Sequence, residues 1–553
     1  EIIVIDNGST DNTERILKKF GNKIVYLKIP PAGRPSVPRN VGIKHARGEL
    51  IAFLDSDDLW TSDKLATQLK VFEDKEAVLS FGNAEIIDSK GKRLGKLVVD
   101  QKTLGEGNSF AKLLKTNFIS TLTVMVRKSA LDEVGFFNEA EELRVVEDYD
   151  LWLRLAALYL KGLRPIKQSL AYYRQHDLNY SQANDLDSLA SRRLALNSLW
   201  SESYLTQEQL RQLEKQIFET EENYSRLANE LEPDKRPPVS VVMSVYNGQE
   251  YLQRAVDSIL KQTSKDFEFI IIEDGSTEPV LKQLRDIKDT RIRIIPQTNH
   301  GLVYSLNQGV KLARGTYIAR QDSDDMSVPE RLAKELALIK TDERLAVVGS
   351  FFTYVDLEDK PSITIVMPTL PEDLHLSLLY TNPIGHGTAL IRKQALVEAG
   401  LYNDNYHAVE DYNLWRQLAL HWHFAIVPES LYLYRINPSG ISHSKESTQH
   451  SQRDKIVGEL WKGPIPFLSP LTIRHNYLTY KRLPKQGPEI LVVYKNMLHN
   501  VAFESVRHKK WRTFVSAWGG LVLIAPLRAV RVLADIIVRL PRWLLAKLKG
   551  RTS

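Results

Sequence analysis

Gly48-Glu49-Leu50-Ile51-Ala52-Phe53-Leu54-Asp55-Ser56-Asp57-Asp58 returns as Gly315-Thr316-Tyr317-Ile318-Ala319-Arg320-Gln321-Asp322-Ser323-Asp324-Asp325, an offset of 267 positions. The same offset relates Ser9-Thr10 to Ser276-Thr277, Asn40 to Asn307 and Gly42 to Gly309. Downstream it drifts to 263, where Glu147-Asp148-Tyr149-Asp150-Leu151-Trp152 becomes Glu410-Asp411-Tyr412-Asn413-Leu414-Trp415. A constant spacing followed by a small drift marks a duplicated domain. Both copies keep their carboxylates, the groups a hydrophobic core needs least, so the repeat carries chemistry.

Working outward, each copy alternates β-rich runs with amphipathic stretches. In the second, Val239–Ser244 reads as a strand, Tyr251–Gln262 has helical apolar spacing, and Phe267–Ile272 is a strand ending at Glu273-Asp274-Gly275-Ser276. Tyr304–Ala313 is helix-like, and Gly315 leads into the strand Thr316–Arg320. This alternation predicts an α/β fold with a mainly parallel sheet in each copy. Ligands then sit beyond the carboxyl ends of the strands, where Asp274 and Asp322–Asp325 fall. The counterpart of Val239 lies about 28 residues before Glu1, so the first copy's opening strand and helix are expected ahead of this chain.

The expected organisation is a first domain at 1–183, a helical linker at 184–236 closed by Pro237-Pro238, and a second domain at 237–445. A helical region at 446–506 and a basic amphipathic tail at 507–553 follow. At 553 residues the chain exceeds one core. With no cysteine, disulfides and thiolate metal sites are excluded. The net charge of +6 is uneven: Arg507–Ser553 holds eleven Lys and Arg against the single acid Asp535. The body is therefore mildly acidic, and the composition gives no ground for nucleic-acid binding. Clustered carboxylates at a strand end suit a hard divalent ion such as Mg²⁺ or Mn²⁺.

These residues, in this order, resemble the family 2 glycosyltransferases of the GT-A fold. The resemblance rests on Val239-Ser240-Val241-Val242-Met243-Ser244-Val245-Tyr246-Asn247, the Glu-Asp-Gly-Ser-Thr after it, and Ile5-Asp6-Asn7-Gly8-Ser9-Thr10-Asp11 in the first copy. Arg39-Asn40-Val41-Gly42, Ala46-Arg47-Gly48, the paired Asp-Ser-Asp-Asp motifs, the Glu-Asp pairs and Tyr173-Arg174 with Tyr434-Arg435 complete it. The resemblance implies two tandem GT-A-like domains. It assigns Ser244 and Asp274, with Asn7 in the first copy, to the nucleotide. It assigns Asp55, Asp57, Asp58, Asp322, Asp324 and Asp325 to a Mn²⁺ or Mg²⁺ ion, the last Asp of each run being the foremost ligand, with His176 as a further one. Asp148 and Asp411 become catalytic bases that activate an acceptor hydroxyl, giving inversion in a single displacement. Glu147, Glu410 and His386 stand as acceptor or accessory residues. Trp152 and Trp415 share that group, although core packing is their plainer role.

The copies are not identical. Asn7 replaces Asp274, and Asn437 replaces His176. In the tail, Thr513–Leu527 is uncharged but shorter than the ~20 residues a spanning helix needs. Arg528, Arg531, Arg539, Arg542, Lys547 and Lys549 then alternate with apolar residues and Trp543, as in helices lying on anionic lipid. The expected protein is a bifunctional inverting glycosyltransferase that uses nucleotide-sugar donors, UDP-sugars first among them. It would extend a glycan acceptor, lipid-linked or free, from the cytoplasmic face of a membrane for a cell-surface polysaccharide. Two rivals stand beside it: one catalytic copy with the other binding acceptor, and a non-catalytic glycan-binding scaffold.

Overall fold

The computed structural model describes the chain apart from residues 106, 176–184, 277–279, 281–282, 285, 439, 441–444, 463–475, 477, 479–480, 482–486, 508–509, 526–528 and 530–553. His176 and the charged tail from Arg528 onward therefore lie outside the described residues, as do Thr277 and Ser442. The chain divides into two compact units, Glu1–Leu231 and Glu232–Ser553.

The second unit is built on a nine-stranded sheet ordered β11-β10-β9-β12-β16-β14-β17-β13, with β15 on β14. These strands are β9 (Val239–Val245), β10 (Phe267–Asp274), β11 (Ile292–Gln297), β12 (Tyr317–Asp322), β13 (Met326–Ser327), β14 (Leu345–Val355), β15 (Pro361–Ile365), β16 (Leu390–Arg392) and β17 (His423–Arg435). The first four in spatial order run parallel. β16 is antiparallel to both β12 and β14, and β14 and β17 are parallel again. The parallel character is thus concentrated at one side of a mixed sheet. Every residue of Phe-Glu-Phe-Ile-Ile-Ile-Glu-Asp in β10 is buried, as a strand covered on both faces requires. Leu252, Ala255, Val256 and Ile259 line one side of the helix Gln249–Leu260 and are fully buried against the sheet.

The first unit repeats this plan in shorter form. β1 (Ile3–Asn7) and β2 (Val25–Ile29) make a separate parallel pair. β3 (Leu50–Ala52), β4 (Leu59–Trp60), β5 (Leu79–Ile87), β6 (Arg93–Leu97), β7 (Met125–Arg127) and β8 (Leu163–Arg174) form a six-stranded sheet ordered β3-β7-β5-β8-β4, with β6 on β5. Among the described residues nothing corresponds to β9, the strand that joins the two parts in the second unit. Leu65 and Leu69 are about half exposed, whereas Leu332, at the place of Leu65, is buried in the core. The helices Asp185–Leu199 and Gln207–Leu231 fall inside the first unit, where Leu196, Leu213 and Ile217 are buried.

Two repeated residues earn their places structurally. A Cβ on Gly309 would come within 2.4 Å of a Val242 methyl, so this glycine lets the helix Leu302–Leu312 lie close on β9. Asn40 donates to the Phe137 carbonyl (2.8 Å) and accepts from the Phe137 amide (3.0 Å). Asn307 does the same with Tyr402, at 2.9 and 3.0 Å. In both units a helix is thereby pinned to a distant loop. Asn307→Ala leaves a backbone N–H and C=O without these bonds. It should destabilise the second unit by about 2 kcal/mol, read as a lower urea midpoint for that unit's transition.

Candidate active site

Strand register assembles one edge of the site. In the parallel set Ile272 and Asp322 both lie opposite Ser244, so Ser244, Asp274 and Asp322 gather at neighbouring carboxyl ends. The buried Asp274 carboxylate accepts from the Gln297 amide (2.7 Å) and from the backbone N–H groups of His300 (2.8 Å) and Gly301 (2.9 Å). It thus ties β10 to the next loop. Asn7 performs the matching task with one oxygen, accepting from the Ala32 N–H at 2.9 Å. An amide oxygen is enough for that bond, so each residue ties its strand to the following loop.

The Asp-rich turns come next. Asp58 accepts from the Arg174 N–H and Asp325 from the Arg435 N–H, each at 2.7 Å. The same two arginines donate from Nε to the carbonyls of Asp57 and Asp324. One residue at the end of β8 or β17 thus clamps the whole turn. Burial, reinforced by neighbouring carboxylates, raises Asp58 to about 6 and lifts Asp324 and Asp325 above the usual carboxylate range. Asn437 donates to Asp324 at 3.2 Å. This oxygen-only set with mutually repelling charges fits a hard divalent cation. Among the described residues no three acidic or histidine groups converge as a ready cage, and the six carboxylates are not arranged as six direct ligands. A hard divalent cation can bind through one or two carboxylates plus water and phosphate oxygens.

Asp148 and Asp411 open the helices Glu147–Leu158 and Glu410–Leu418, where the helix dipole favours acids. Asp148 accepts from the Thr121 hydroxyl (2.8 Å), the Asn117 amide (3.3 Å) and the Tyr149 N–H (2.6 Å). Asp411 accepts from the Asn382 amide (2.8 Å) and the Tyr412 N–H (2.6 Å). Burial raises both, Asp411 to about 6, while these donors and, for Asp148, the Arg39 charge pull the other way. Asp55 and Asp322 add repulsion to Asp148 and Asp411 respectively, so each helix-start aspartate feels the charge of its turn. Glu147 and Glu410 are buried and raised to about 7. Arg39 bonds Glu147 at 2.7 Å and Asp55 at 2.9 Å. His386 is held neutral by burial, meets the Tyr402 hydroxyl at 3.0 Å and lies 3.9 Å from Glu410. Trp152 and Trp415 are fully buried, and Trp415 donates to the Ile384 carbonyl. Their place is the core, out of reach of an acceptor.

Asn117 and Asn382, whose amides donate to Asp148 and Asp411, fall outside the motifs named above. Their signal was present: Thr116-Asn117-Phe118-Ile119 recurs as Thr381-Asn382-Pro383-Ile384. Arg174, Arg435 and Arg39 stand within those motifs without an assigned task.

A model of "Glycosyl transferase family 2" matches residues 1–135 and 240–400, together more than half of the chain. An uncharacterized glycosyltransferase of Rickettsia felis is 28% identical over 448 residues, covering 76% of this chain and 71% of that protein. Hyaluronan synthase of Pasteurella multocida is 26% identical over 386 residues, 63% of this chain and 37% of the synthase. The chain thus aligns with well under half of the synthase. The crystal structure of S. aureus TarS 1–349 in complex with UDP-GlcNAc superimposes with a TM-score of 0.33 at 19% identity, over 53% of this chain and 83% of that one.

A carboxyl raised from 3.8 to about 6 binds its proton more tightly folded than unfolded. Its charging therefore removes stability as pH rises through that interval. Asp411→Asn should raise the melting temperature at pH 7.5 and lose that advantage at pH 4, measured by calorimetry at both pH values.

Proposed function

The chain belongs to glycosyl transferase family 2, and from that premise we propose that each unit moves a sugar from a nucleoside-diphosphate donor to a hydroxyl of a growing glycan. The observation that carries the reading is the same in both units. A half-buried aspartate at a helix start, held by an asparagine amide, feels the charge of the first aspartate of an Asp-rich turn.

In this reading the donor's nucleotide lies along the edge formed by Ser244, Asp274 and Asp322, with Asn7 at the matching place in the first unit. The Asp411 or Asp148 carboxylate accepts the acceptor's hydroxyl proton as that oxygen attacks the anomeric carbon. The nucleoside diphosphate departs from the opposite face, so one displacement inverts the configuration. An ionised base is required, and burial with like-charge repulsion keeps its affinity for the arriving proton high. Asn117 and Asn382 aim the carboxylate, and Thr121 adds a second donor in the first unit. Mn²⁺ or Mg²⁺, held through Asp57–Asp58 or Asp324–Asp325, supplies positive charge against the leaving diphosphate.

The differences between Asn7 and Asp274, and between Thr121 and His386, favour two donors or acceptors rather than one used twice. A second reading, with one unit catalytic and the other holding acceptor, draws on those same differences. Nucleoside-diphosphate release from a panel of nucleotide sugars with Mn²⁺ and a glycan acceptor separates them. Asp148→Asn and Asp411→Asn should each abolish turnover of a different donor, by at least 10²-fold. Loss with only one variant leaves a single catalytic unit, and no turnover of any donor by the parent chain refutes the transferase reading.

The similarity to hyaluronan synthase supports surface-polysaccharide synthesis as the setting, on the inner face of a membrane. Among the described residues no helix is long and apolar enough to cross a bilayer. The helix Trp511–Ile524 is strongly apolar, with Val515 and Val522 exposed, and leads towards the basic tail. Peripheral binding by residues 507–553 should appear as co-sedimentation with vesicles containing anionic lipid, and 1 M salt should largely reverse it.

A further inference from the structure

In the first unit the guanidinium between the turn and the base comes from Arg39 on the helix Ser36–His45, bonded to both Asp55 and Glu147. The repeat offset of 267 puts Leu306, a buried apolar residue, at that position in the second unit. There the guanidinium comes instead from Arg320 on β12, bonded to Asp322 at 2.6 Å and donating to the Gln321 carbonyl. Its charge also pulls on Glu410. The offset places Phe53 opposite Arg320. Each unit therefore holds one arginine and one apolar side chain at these two positions, with the places exchanged.

The surroundings exchange with them. Phe53 packs edge-on to Phe137 at 5.3 Å, and the Arg39 guanidinium lies 5.4 Å from the same ring. In the second unit Tyr402 stands for Phe137 and carries its hydroxyl to His386. The asparagine clamps described above hold the two helices against Phe137 and Tyr402 in the same way. A side chain at 306 thus starts from the place where Arg39 starts.

We infer that Arg39 and Arg320 are one functional element delivered from two different places: a positioning residue that keeps a single positive charge between the first aspartate of the turn and the glutamate beside the base. This inference rests on the donor-site reading. A guanidinium there repels a cation bound by the turn and attracts the diphosphate of a donor, so removing it should move the two affinities in opposite directions. A purely structural residue would weaken both when lost.

The test uses the full chain, with the turn aspartates of the other unit changed to Asn so that one site is read. Mn²⁺ alone is titrated by electron paramagnetic resonance, and UDP and GDP with Mn²⁺ by calorimetry. Arg320→Gln should tighten Mn²⁺ and weaken the nucleotide, each by about tenfold for a unit charge a few ångströms away. Adding Leu306→Arg should largely reverse both changes, as Phe53→Arg should in an Arg39→Gln background. Arg39 is the more exposed of the two, so the first-unit pair decides the matter if Arg320→Gln folds poorly by circular dichroism. Weakening of both ligands, or failure of the relocated arginine to reverse the effect, overturns the inference. If the parent chain binds neither nucleotide, the donor-site reading fails at this point, and the Mn²⁺ titration of the same variants still judges the exchanged arginine.

Discussion

Repulsion among carboxylates held at one strand edge is the constraint on which each unit depends. A folded chain gains nothing from crowding Asp322, Asp324, Asp325, Glu410 and Asp411 into a buried place; burial and mutual repulsion raise four of them above their ordinary range. The fold offsets that cost with fixed donors: the Arg435 backbone and side chain at the turn, Asn382 at the base, a guanidinium between. The first unit reaches the same balance with Arg174, Asn117 and Arg39. In the proposed reading, this excess negative charge is what a divalent cation would offset.

The support beneath the turn shows how freely the remaining polar core can vary. Arg331 and Glu335 form a fully buried ion pair in the second unit, with Arg331 also donating to the Arg320 carbonyl. At the same positions the first unit has Lys64 and Gln68, and burial lowers Lys64 to about 7. A buried ion pair contributes little more than a well-bonded neutral pair, so either solution serves. Asp148 and Asp411 and the turn aspartates show no such exchange: they keep both identity and place in the two units.

Much of this was legible beforehand. The repeated Asp-Ser-Asp-Asp and Glu-Asp motifs stand at element boundaries, and strand–helix alternation placed them at carboxyl ends. The partners that tune them were less legible, because a hydrogen-bond partner is chosen by space and not by spacing. Asn382 is 29 positions from Asp411, and Arg435 is 110 from Asp325. The bonds that tie Asp274 to its own loop were likewise not legible, since its partners lie 23 to 27 positions away. Trp152 and Trp415 follow their bases by four residues, yet the helix turns them into the core.

Sequence alone determined the duplication, the α/β class and which carboxylates recur in both copies, since these follow from local periodicity and from residue types that a core would reject. Tertiary structure alone decided the mixed character of the sheets and the exchange of Arg39 for Arg320. A positive charge can reach one point in space from a helix or from a strand. Electrostatics selects the point where the charge must lie and is indifferent to the position in the chain that supplies it.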